Sequence, residues 1–424
     1  MEDAPQSTPE HALPPARRAS GAAAWLGLVF VGLLLFLAAW IVVPPPGYAT
    51  LVLAVGAPEV GPLLILAGMA GLLVAMRAGA GWVARVTMLF SVATIALASI
   101  PLLQFPGTAR RFDAAMREAL GPDYLSGIAA DTRGRMRKGP LDPLELFIGL
   151  RATGYRVVRG VRFALNDGVP LTMDIYRPAA AGPYPAVVQI YGGAWQRGAP
   201  GDNAQFASYL AAHGYVVFAI DYRHAPRWQW PAQLADVRAA LAWIAEHGKE
   251  FDADTGRLAL LGRSSGAQLA MVAAYAPGGP PACAVVSYYG PVNLVEGYRR
   301  PPRPDPLDVR SIEEAFLGGT PDDALDRYRS ASPITYAERP LPPTLLVYAA
   351  RDHVVEARFG EMLYQKLRAT GTPSVLLEIP WAEHAFDEVS GGPGAQLALY
   401  HTERFLAWAL TAPACATTAS RAPR

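Results

Sequence analysis

The most constraining feature of this sequence is an uncharged apolar run of 22 residues, Ala22 to Val43. A helix needs about 20 such residues to cross the hydrocarbon core of a bilayer. The run is longer than the apolar core of a secretory signal peptide, and PPPG follows it where a small-residue cleavage site would stand. The run therefore predicts a retained transmembrane helix.

Two more apolar regions follow within the first quarter of the chain. Ala49 to Met76 is interrupted around Glu59, and its cleanest segment is Val60 to Met76. The other region is Trp82 to Phe105. Charged residues make up only 17 % of the chain, against about 25 % in a typical soluble domain. These features predict three membrane spans; two spans with a re-entrant segment are the alternative.

The arginines near these spans predict their orientation, because lysine and arginine accumulate on the cytoplasmic side. Two precede the first span and two flank the turn between the second and third: Arg17, Arg18, Arg77 and Arg85. With three spans, everything after Phe105 then lies outside the cell. Three arginines beyond the third span favour the opposite orientation: Arg110, Arg111 and Arg117. We expect an integral cell-membrane protein with its larger part on the external side.

Composition and periodicity divide the chain into five parts. Both ends are polar and are predicted to be disordered, whereas the middle holds the membrane region and one domain-sized unit. The predicted parts are a tail at 1–21, the membrane region at 22–105, a linker or lid at 106–150, an α/β domain at 151–411 and a tail at 412–424. Residues 292–337 form an insert in that domain, with one short helix at 311–316, and an insert of this length is typical of a lid or binding element.

The domain-sized unit alternates short apolar strands with amphipathic helices. It opens with an antiparallel pair, 155–165 and 171–176, joined by Asn-Asp-Gly. Further strands are predicted at 185–191, 215–221, 257–261, 284–288, 344–348 and 374–379, and helices at 203–213, 233–247, 265–275, 356–369 and 394–410. The alternation predicts an α/β fold with a mostly parallel sheet covered by helices on both faces. Ligands of such sheets bind at the carboxyl ends of the strands.

Several functional classes have no support in the composition. The formal net charge is +1, which does not favour a nucleic-acid partner. Two cysteines are too few for a disulfide framework, and no Cys/His cluster has the spacing of a zinc site. We therefore expect neither a metal nor an organic cofactor, and the sequence does not indicate an oligomeric state.

The segment Gly262-Arg263-Ser264-Ser265-Gly266 fits the G-x-S-x-G pattern of a nucleophile elbow. It follows a predicted strand and opens a predicted helix, which is the context that the pattern requires. Glycines stand two residues before and two after Ser264, whereas the same positions around Ser265 hold Arg263 and Ala267. The spacing therefore selects Ser264 as the nucleophile. It leaves the backbone amide of Ser265, at the start of the helix, as an oxyanion donor.

A second glycine turn ends an earlier strand, in the sequence Tyr191-Gly192-Gly193-Ala194-Trp195. Paired glycines allow backbone amides to come close to a substrate oxygen. Alone the pair is typical of an ordinary turn. Together with the elbow, it predicts the other half of an oxyanion hole, made by Gly192, Gly193 or Ala194.

A nucleophilic serine needs a base and an orienting acid, which follow it in the order acid, then histidine, on this scaffold. Three histidines follow the elbow: His353, His384 and His401. His384 comes directly after a strand and is the predicted base; His401 lies within a helix and is interpreted as a surface residue, and His353 comes too early. Asp352, directly after another strand, is the predicted acid. Glu356 is the alternative acid, and a helix N-cap is the other role that Asp352 can fill.

With these residues in this order, the chain from Tyr155 to Leu410 resembles the α/β-hydrolase fold, and in particular the hormone-sensitive-lipase-like and related carboxylesterases. The resemblance includes the elbow, YGGAW, the stretches DYRHAP at 221–226 and SASP at 330–333, Asp352 and His384. It implies Ser264 as nucleophile, His384 as base and Asp352 as orienter. It also implies an oxyanion hole from the amides of Gly192, Gly193 and Ser265.

The sequence departs from this family pattern at three positions. The family usually has His-Gly-Gly-Gly, whereas here Tyr191 replaces the histidine and Ala194 the third glycine. The oxyanion donor is therefore either Gly193 or Ala194. Arg263 stands in the elbow where an acidic residue is common in the lipase-like branch. The sequence assigns this arginine no role.

The sequence thus predicts a membrane-anchored serine carboxylesterase that cleaves short- to medium-chain or lipid-derived esters through an acyl-enzyme. Three tryptophans are candidates for the wall of an acyl pocket: Trp195, Trp228 and Trp230. A peptidase or amidase with the same triad is one alternative. A catalytically silent membrane scaffold is the other, because a fold alone does not establish activity.

Overall fold

The structure is a computed structural model and describes residues 21–279 and 281–411. The predicted polar tails, with Arg17 and Arg18, therefore lie outside the described residues. The helices are α1 Gly21–Ala39, α2 Tyr48–Glu59, α3 Gly61–Ala78, α4 Trp82–Leu120, α5 Ala130–Arg135, α6 Glu145–Ile148, α7 Ala204–Ala212, α8 Ala232–His247, α9 Ser265–Tyr275, α10 Leu294–Arg299, α11 Val309–Leu317, α12 Leu325–Ala331, α13 Arg358–Ala369 and α14 Pro393–Ala409. The strands are β1 Tyr155–Asn166, β2 Val169–Pro178, β3 Tyr184–Ile190, β4 Val216–Ile220, β5 Ala253–Arg263, β6 Ala284–Tyr288, β7 Thr344–Ala349 and β8 Ser374–Ile379.

The strands form one sheet in the order β1-β2-β4-β3-β5-β6-β7-β8. The first two strands pair antiparallel and β2 pairs antiparallel with β4, whereas the pairs from β4 to β8 are parallel. Alternate residues of a strand point to opposite faces, so Val187 and Val188 of β3 belong to different apolar clusters. On one face of the sheet, the first cluster includes residues of α4, α7 and α14. On the opposite face, the second cluster includes residues of α8, α9, α11 and α12. The predicted mostly parallel α/β sheet is confirmed.

Three helices near the start of the chain are long and apolar enough to cross a membrane by length and composition: α1, α3 and α4. Large apolar side chains on these helices are exposed to the surroundings, including Leu26, Leu89 and Leu103. Hydroxyls within α4 donate to carbonyls one turn earlier, as from Thr87 to Val83 and from Thr94 to Phe90. Such bonds satisfy polar groups where no water is present. The region that the sequence showed as one interrupted run contains two helices, α2 and α3.

The end of α4 differs from the prediction that 106–150 is a linker or lid. The helix continues past Phe105 to Leu120 and packs against the α/β sheet. Phe112 and Met116 are 3 % and 0 % exposed within the core cluster of that face. None of residues 106–150 lines the pocket around Ser264. The end of α4, up to Leu120, therefore packs on the sheet and does not cover the pocket, whereas further along the segment Leu144 and Phe147 are exposed.

His401 is also placed differently from the prediction of a surface residue. Its side chain is fully buried, and its ring lies edge-on to Phe112 with 5.3 Å between the centroids. Its Nε2 lies 3.2 Å from Asp113 Oδ1. Its position within a helix suggested that His401 is exposed. In the structure, α4 covers this face of α14 and supplies the histidine with an acidic partner.

The insert between β6 and β7 contains three short helices, α10, α11 and α12, where the sequence predicted one at 311–316. The predicted helix corresponds to α11, which Asp308 caps by accepting a hydrogen bond from the amide of Ser311. The apolar residues Phe316 and Leu317 of α11 are fully buried against the sheet domain. The insert is thus an ordered cap above one side of the sheet edge.

Candidate active site

The nucleophile elbow lies between β5 and α9, at the carboxyl edge of the sheet. Ser264 has φ 51° and ψ −122°, a conformation that is uncommon for a residue with a side chain and is typical of a strained functional turn. A Cβ at Gly262 would lie 2.2 Å from Gly266 O, and a Cβ at Gly266 would lie 2.2 Å from Tyr191 O. Both flanking positions therefore require glycine, as the spacing predicted. The turn leaves the Ser264 side chain in the wall of the pocket.

The three predicted triad residues come together in one hydrogen-bonded chain. His384 Nε2 lies 3.0 Å from Ser264 Oγ, and His384 Nδ1 lies 2.8 Å from Asp352 Oδ2. The other carboxylate oxygen of Asp352 accepts hydrogen bonds from the amides of Val354 and Val355, at 2.8 and 2.7 Å. Asp352 therefore bonds to the imidazole and also holds the turn that follows, but it is not a helix N-cap, because the next helix begins only at Arg358.

The other acid and base candidates are bonded elsewhere. His353 Nδ1 lies 2.7 Å from Glu383 Oε2. Glu356 accepts a hydrogen bond from Arg358 Nε at 2.8 Å. Neither residue contacts the serine or the imidazole of the chain described above.

The surroundings of His384 favour its protonated form. Burial lowers the pKa of the imidazole, but the charge and hydrogen bond of Asp352, with smaller contributions from Glu383 and Asp387, outweigh burial and raise the pKa above its ordinary value. Asp352 is itself 5 % exposed, so water screens this pair only weakly. The arrangement suits an imidazole that must accept a proton and stabilise the resulting cation.

The predicted oxyanion residues line the same pocket as Ser264. A Cβ at Gly192 would lie 3.1 Å from Ser264 Cβ, which shows how closely this turn approaches the nucleophile. Among the described residues, the amides of Gly193, Ala194 and Ser265 donate no hydrogen bond. Ala194 adopts φ 56°. The backbone thus offers donors at this point, and Gly193 and Ala194 remain alternative donors.

Tyr191 supports the turn from behind, in place of the family histidine. Its hydroxyl donates to Asp221 and lies 2.9 Å from His224 Nε2. Its ring stacks on Tyr222 with 4.5 Å between centroids. The DYRHAP stretch therefore anchors the glycine turn through the Tyr191 side chain.

Arg263, which the sequence left without a role, joins the elbow to the histidine loop. It is 2 % exposed, and its Nε donates to Asp387, three residues after His384. The Tyr289 hydroxyl donates to the other oxygen of Asp387, and the Tyr289 ring centroid lies 4.7 Å from that of His384. The guanidinium also lies over the Phe206 ring at 4.4 Å. Sequence reasoning did not identify Asp387, because nothing local to it indicates a partner so far away in the chain.

The pocket above these groups has a volume of about 360 Å³. The glycine turn and the elbow form one side, and the insert forms much of the other. Of the three tryptophans proposed for its wall, only Trp195 is among the lining residues, where its ring stacks on Phe316 with 4.1 Å between centroids. Trp230 packs against Phe316 in the core. The insert residues that line it are Asn293, Gly297, Arg300, Pro302, Leu307, Val309, Ile312 and Glu313.

No group of three or more His, Cys, Asp or Glu side chains that could hold a metal ion occurs within residues 21–279 and 281–411.

Comparison with known proteins gives a consistent result. Residues 173–367 match the family model BD-FAE. The probable carboxylic ester hydrolase LipM of Mycobacterium tuberculosis is 29 % identical over 74 % of this chain and 76 % of its own length. Esterase LipC of the same organism is 30 % identical over 57 % of this chain and 64 % of its own length.

Solved structures share the fold. The Pyrobaculum calidifontis esterase superposes with a TM-score of 0.55 at 24 % identity, over 67 % of this chain and 92 % of that one. Carboxyl esterase 2 of Tuber melanosporum gives 0.53 at 22 % identity, over 61 % of this chain and 89 % of that one. The fold and the arrangement around the elbow define a serine hydrolase. The chain is thus similar in sequence to carboxylic ester hydrolases and esterases, and it shares the α/β-hydrolase fold of the solved esterases.

Proposed function

We propose that this protein is a membrane-anchored serine esterase that cleaves short- to medium-chain or lipid-derived carboxylic esters. The observation that carries the proposal is the continuous hydrogen-bonded chain from Ser264 through His384 to Asp352, next to a pocket with free backbone donors. The names of the relatives, which are esterases and ester hydrolases, support the same bond type.

In the proposed reaction, Ser264 Oγ attacks the ester carbonyl carbon while its proton passes to His384 Nε2. The carbonyl oxygen becomes an oxyanion that accepts hydrogen bonds from the amide of Ser265 and from Gly193 or Ala194. Loss of one such donor typically costs about 3 kcal/mol of transition-state stabilisation. The imidazolium then protonates the departing alkoxide, which leaves as the alcohol, and Ser264 carries the acyl group.

In the second half of the reaction, water is the nucleophile and Ser264 Oγ is the leaving group. His384 removes a proton from water, the hydroxide oxygen attacks the acyl carbon, and collapse of the second oxyanion returns the proton to Ser264 Oγ and releases the acid. Asp352 stays ionised throughout, because its function is to hold the imidazole and stabilise its charge.

Contacts between the apolar helices and the active-site edge support an anchored enzyme with a lipid-derived substrate. Arg351 Nη2, beside the triad aspartate, donates to Val42 O at 2.6 Å, just after α1. Glu59 of α2 accepts a hydrogen bond from Gly394 N at 2.8 Å. Arg197 lines the pocket and lies 5.5 Å from the Tyr48 ring. An ester dissolved in a lipid layer around the helices would have a short path to such a pocket.

A Ser264→Ala variant tests the proposal in the full chain in detergent. We expect it to lose labelling by a fluorophosphonate probe and hydrolysis of nitrophenyl esters, because no other hydroxyl lies against His384 Nε2 among the described residues. Ser208→Ala, a matched change on α7 outside the pocket, should keep both. Labelling that survives in S264A would exclude the assigned nucleophile. Faster turnover of peptide amides than of esters by the unaltered protein would favour a peptidase, and no turnover would favour a scaffold.

A further inference from the structure

One charged residue occupies a core position in the cap without a partner. Glu313 lies on the buried face of α11, where Phe316 and Leu317 are its buried neighbours, and it is itself 3 % exposed. Its Oε2 has no hydrogen-bond partner among the described residues. A buried carboxyl without a partner is rare and unfavourable, because it loses its contacts with water and gains nothing in exchange. Such a group requires an explanation other than stability.

The cap is shaped around this carboxyl. Gly297 of α10 faces it, and a Cβ at that position would lie 2.8 Å from Glu313 Oε1. The nearby basic residues are bonded to another carboxylate, since Arg300 and Arg358 both donate to Glu296. The next residue of α11, Glu314, accepts a hydrogen bond from the Tyr298 hydroxyl at 2.6 Å. Glu313, by contrast, is buried and has no hydrogen-bond partner among the described residues.

Glu313 is also part of the wall of the pocket that contains Ser264. The wall near it is apolar, with Leu307, Val309 and Ile312 from the insert and Phe359 from α13. Burial with no compensating partner raises the pKa of Glu313 well above its ordinary value. In binding sites, a few polar groups in an apolar wall fix the orientation and the identity of the ligand. Glu313 is the one carboxyl that the insert contributes to this wall, beside the polar residues Asn293 and Arg300, and it has the position required for that function.

We propose that Glu313 forms a polar subsite of the ester pocket, which binds a hydrogen-bond donor, either a hydroxyl or an ammonium, carried by the substrate away from the scissile ester. This inference rests on the proposed esterase function and specifies its substrate class. The substrate is then an ester with an apolar body and one donor group, rather than a simple fatty acyl ester. Glu313 determines specificity and takes no part in bond cleavage.

The test compares esters of equal length that end in a methyl, a hydroxyl or an ammonium group. One series varies the end of a six-carbon acyl chain on nitrophenol, and a second varies the end of the alcohol in acetate esters. We expect the unaltered full-length protein to prefer a donor-ended ester to its methyl-ended analogue in kcat/KM by at least about tenfold in one series, the effect of one hydrogen bond to a buried group. Preference for the ammonium over the hydroxyl identifies an ionised carboxylate, and the reverse identifies a neutral one.

The variant Glu313→Leu should abolish this preference, because kcat/KM for the donor-ended ester should fall at least about tenfold further than kcat/KM for its methyl-ended analogue. Its melting temperature should be unchanged or higher, since the substitution removes an unpaired buried carboxyl. Glu313→Gln should retain part of the preference for the hydroxyl. Glu314→Leu, one residue along the same helix and outside the pocket, is the matched control and should keep the full preference.

Two results would overturn the inference. If neither series shows a preference for donor-ended esters, or if Glu313→Leu retains it while nitrophenyl acetate is still hydrolysed, Glu313 does not form the subsite and the esterase proposal stands. If the unaltered protein hydrolyses no ester, including nitrophenyl acetate, the proposed function fails and this inference fails with it.

Discussion

Arg263 shows how a single residue of the elbow acquires a function from its distant partners. It lies next to the nucleophile, and its Asp387 partner lies next to the histidine of the triad. Tyr289 binds the same carboxylate and packs against the imidazole ring. We therefore expect Arg263 to help hold the elbow and the loop of His384 in place relative to each other. Removing one member of such a buried pair typically costs about 3–5 kcal/mol, because it leaves the other charge uncompensated.

The charge of Asp352 should control the pH dependence of the reaction. His384 must be neutral to accept the serine proton, and its pKa is raised, so activity falls as the pH decreases through a value above the ordinary 6.5. Asp352→Asn removes the anion that favours the imidazolium, so the acid limb of the kcat/KM profile should move to lower pH. The rate should also fall by about 10⁴-fold, as for the equivalent change in a serine protease triad. The profile is measured with a nitrophenyl ester between acid and neutral pH.

Glu356→Gln is the matched control, because Glu356 was the alternative acid and contacts Arg358 instead. It should leave both the rate and the acid limb unchanged. An acid limb that moves in E356Q and stays in place in D352N would assign the orienting role to Glu356.

At the scale of single elements, the two ends of the 39-residue helix α4 lie in different environments. Its first part exposes apolar side chains such as Leu89 and Leu103, whereas its last turns bury Phe112 and Met116 against the sheet domain. The sequence predicted a linker or lid at 106–150 and did not reveal that the end of this helix packs on the sheet. The segment is one element that connects the apolar region rigidly to the catalytic core.

Shortening the buried side chains at the end of α4 should destabilise the enzyme. Phe112→Ala should cost about 3–5 kcal/mol and Met116→Ala about 2–5 kcal/mol, because each leaves a cavity in the core. The readout is the temperature at which the detergent-solubilised enzyme loses half of its esterase activity. Arg110→Ala, on an exposed position of the same helix, should shift this temperature little. Equal shifts for F112A and R110A would contradict the packing of α4.

At the scale of the whole molecule, the carboxyl edge of the sheet contacts α2 and the turn between α1 and α2. The contacts are made by Arg197 in the pocket wall, by Arg351 beside Asp352 and by Gly394 in the first turn of α14. A buried carboxylate, Glu59, receives one of them and is 1 % exposed. The molecule therefore presents its pocket close to the region that we propose to be in the membrane.

The predicted external side can be tested on sealed cells that produce the full chain. A membrane-impermeant fluorophosphonate should label Ser264 without lysis, because the arginine pattern places the part after the third span outside. Lysis should increase labelling little, and S264A cells should show none. Labelling that requires lysis would instead place the catalytic part in the cytoplasm, the orientation favoured by the arginines beyond the third apolar region.

The sequence alone determined the features that depend on local pattern. Alternating strands and helices indicated the parallel sheet, because periodicity follows from which side of each element is buried. Glycines on both sides of Ser264 selected one of two serines, because only glycine allows the backbone to approach so closely at 262 and 266. The positions of Asp352 and His384, each directly after a strand, indicated the rest of the chain of hydrogen bonds.

Tertiary structure decided what depends on residues far apart in the chain. Arg263 forms a hydrogen bond with Asp387, which is 124 positions away in the chain, and His401 forms one with Asp113, which is 288 positions away. No local periodicity encodes such pairs, because they depend on how the elements pack and not on the residues beside them. The same is true of Glu313, because its neighbours in the sequence do not distinguish it from an ordinary acidic residue of a helix. Only the packing of α10 and α11 over the pocket leaves it without a partner among the described residues, buried in the wall of the pocket that contains Ser264.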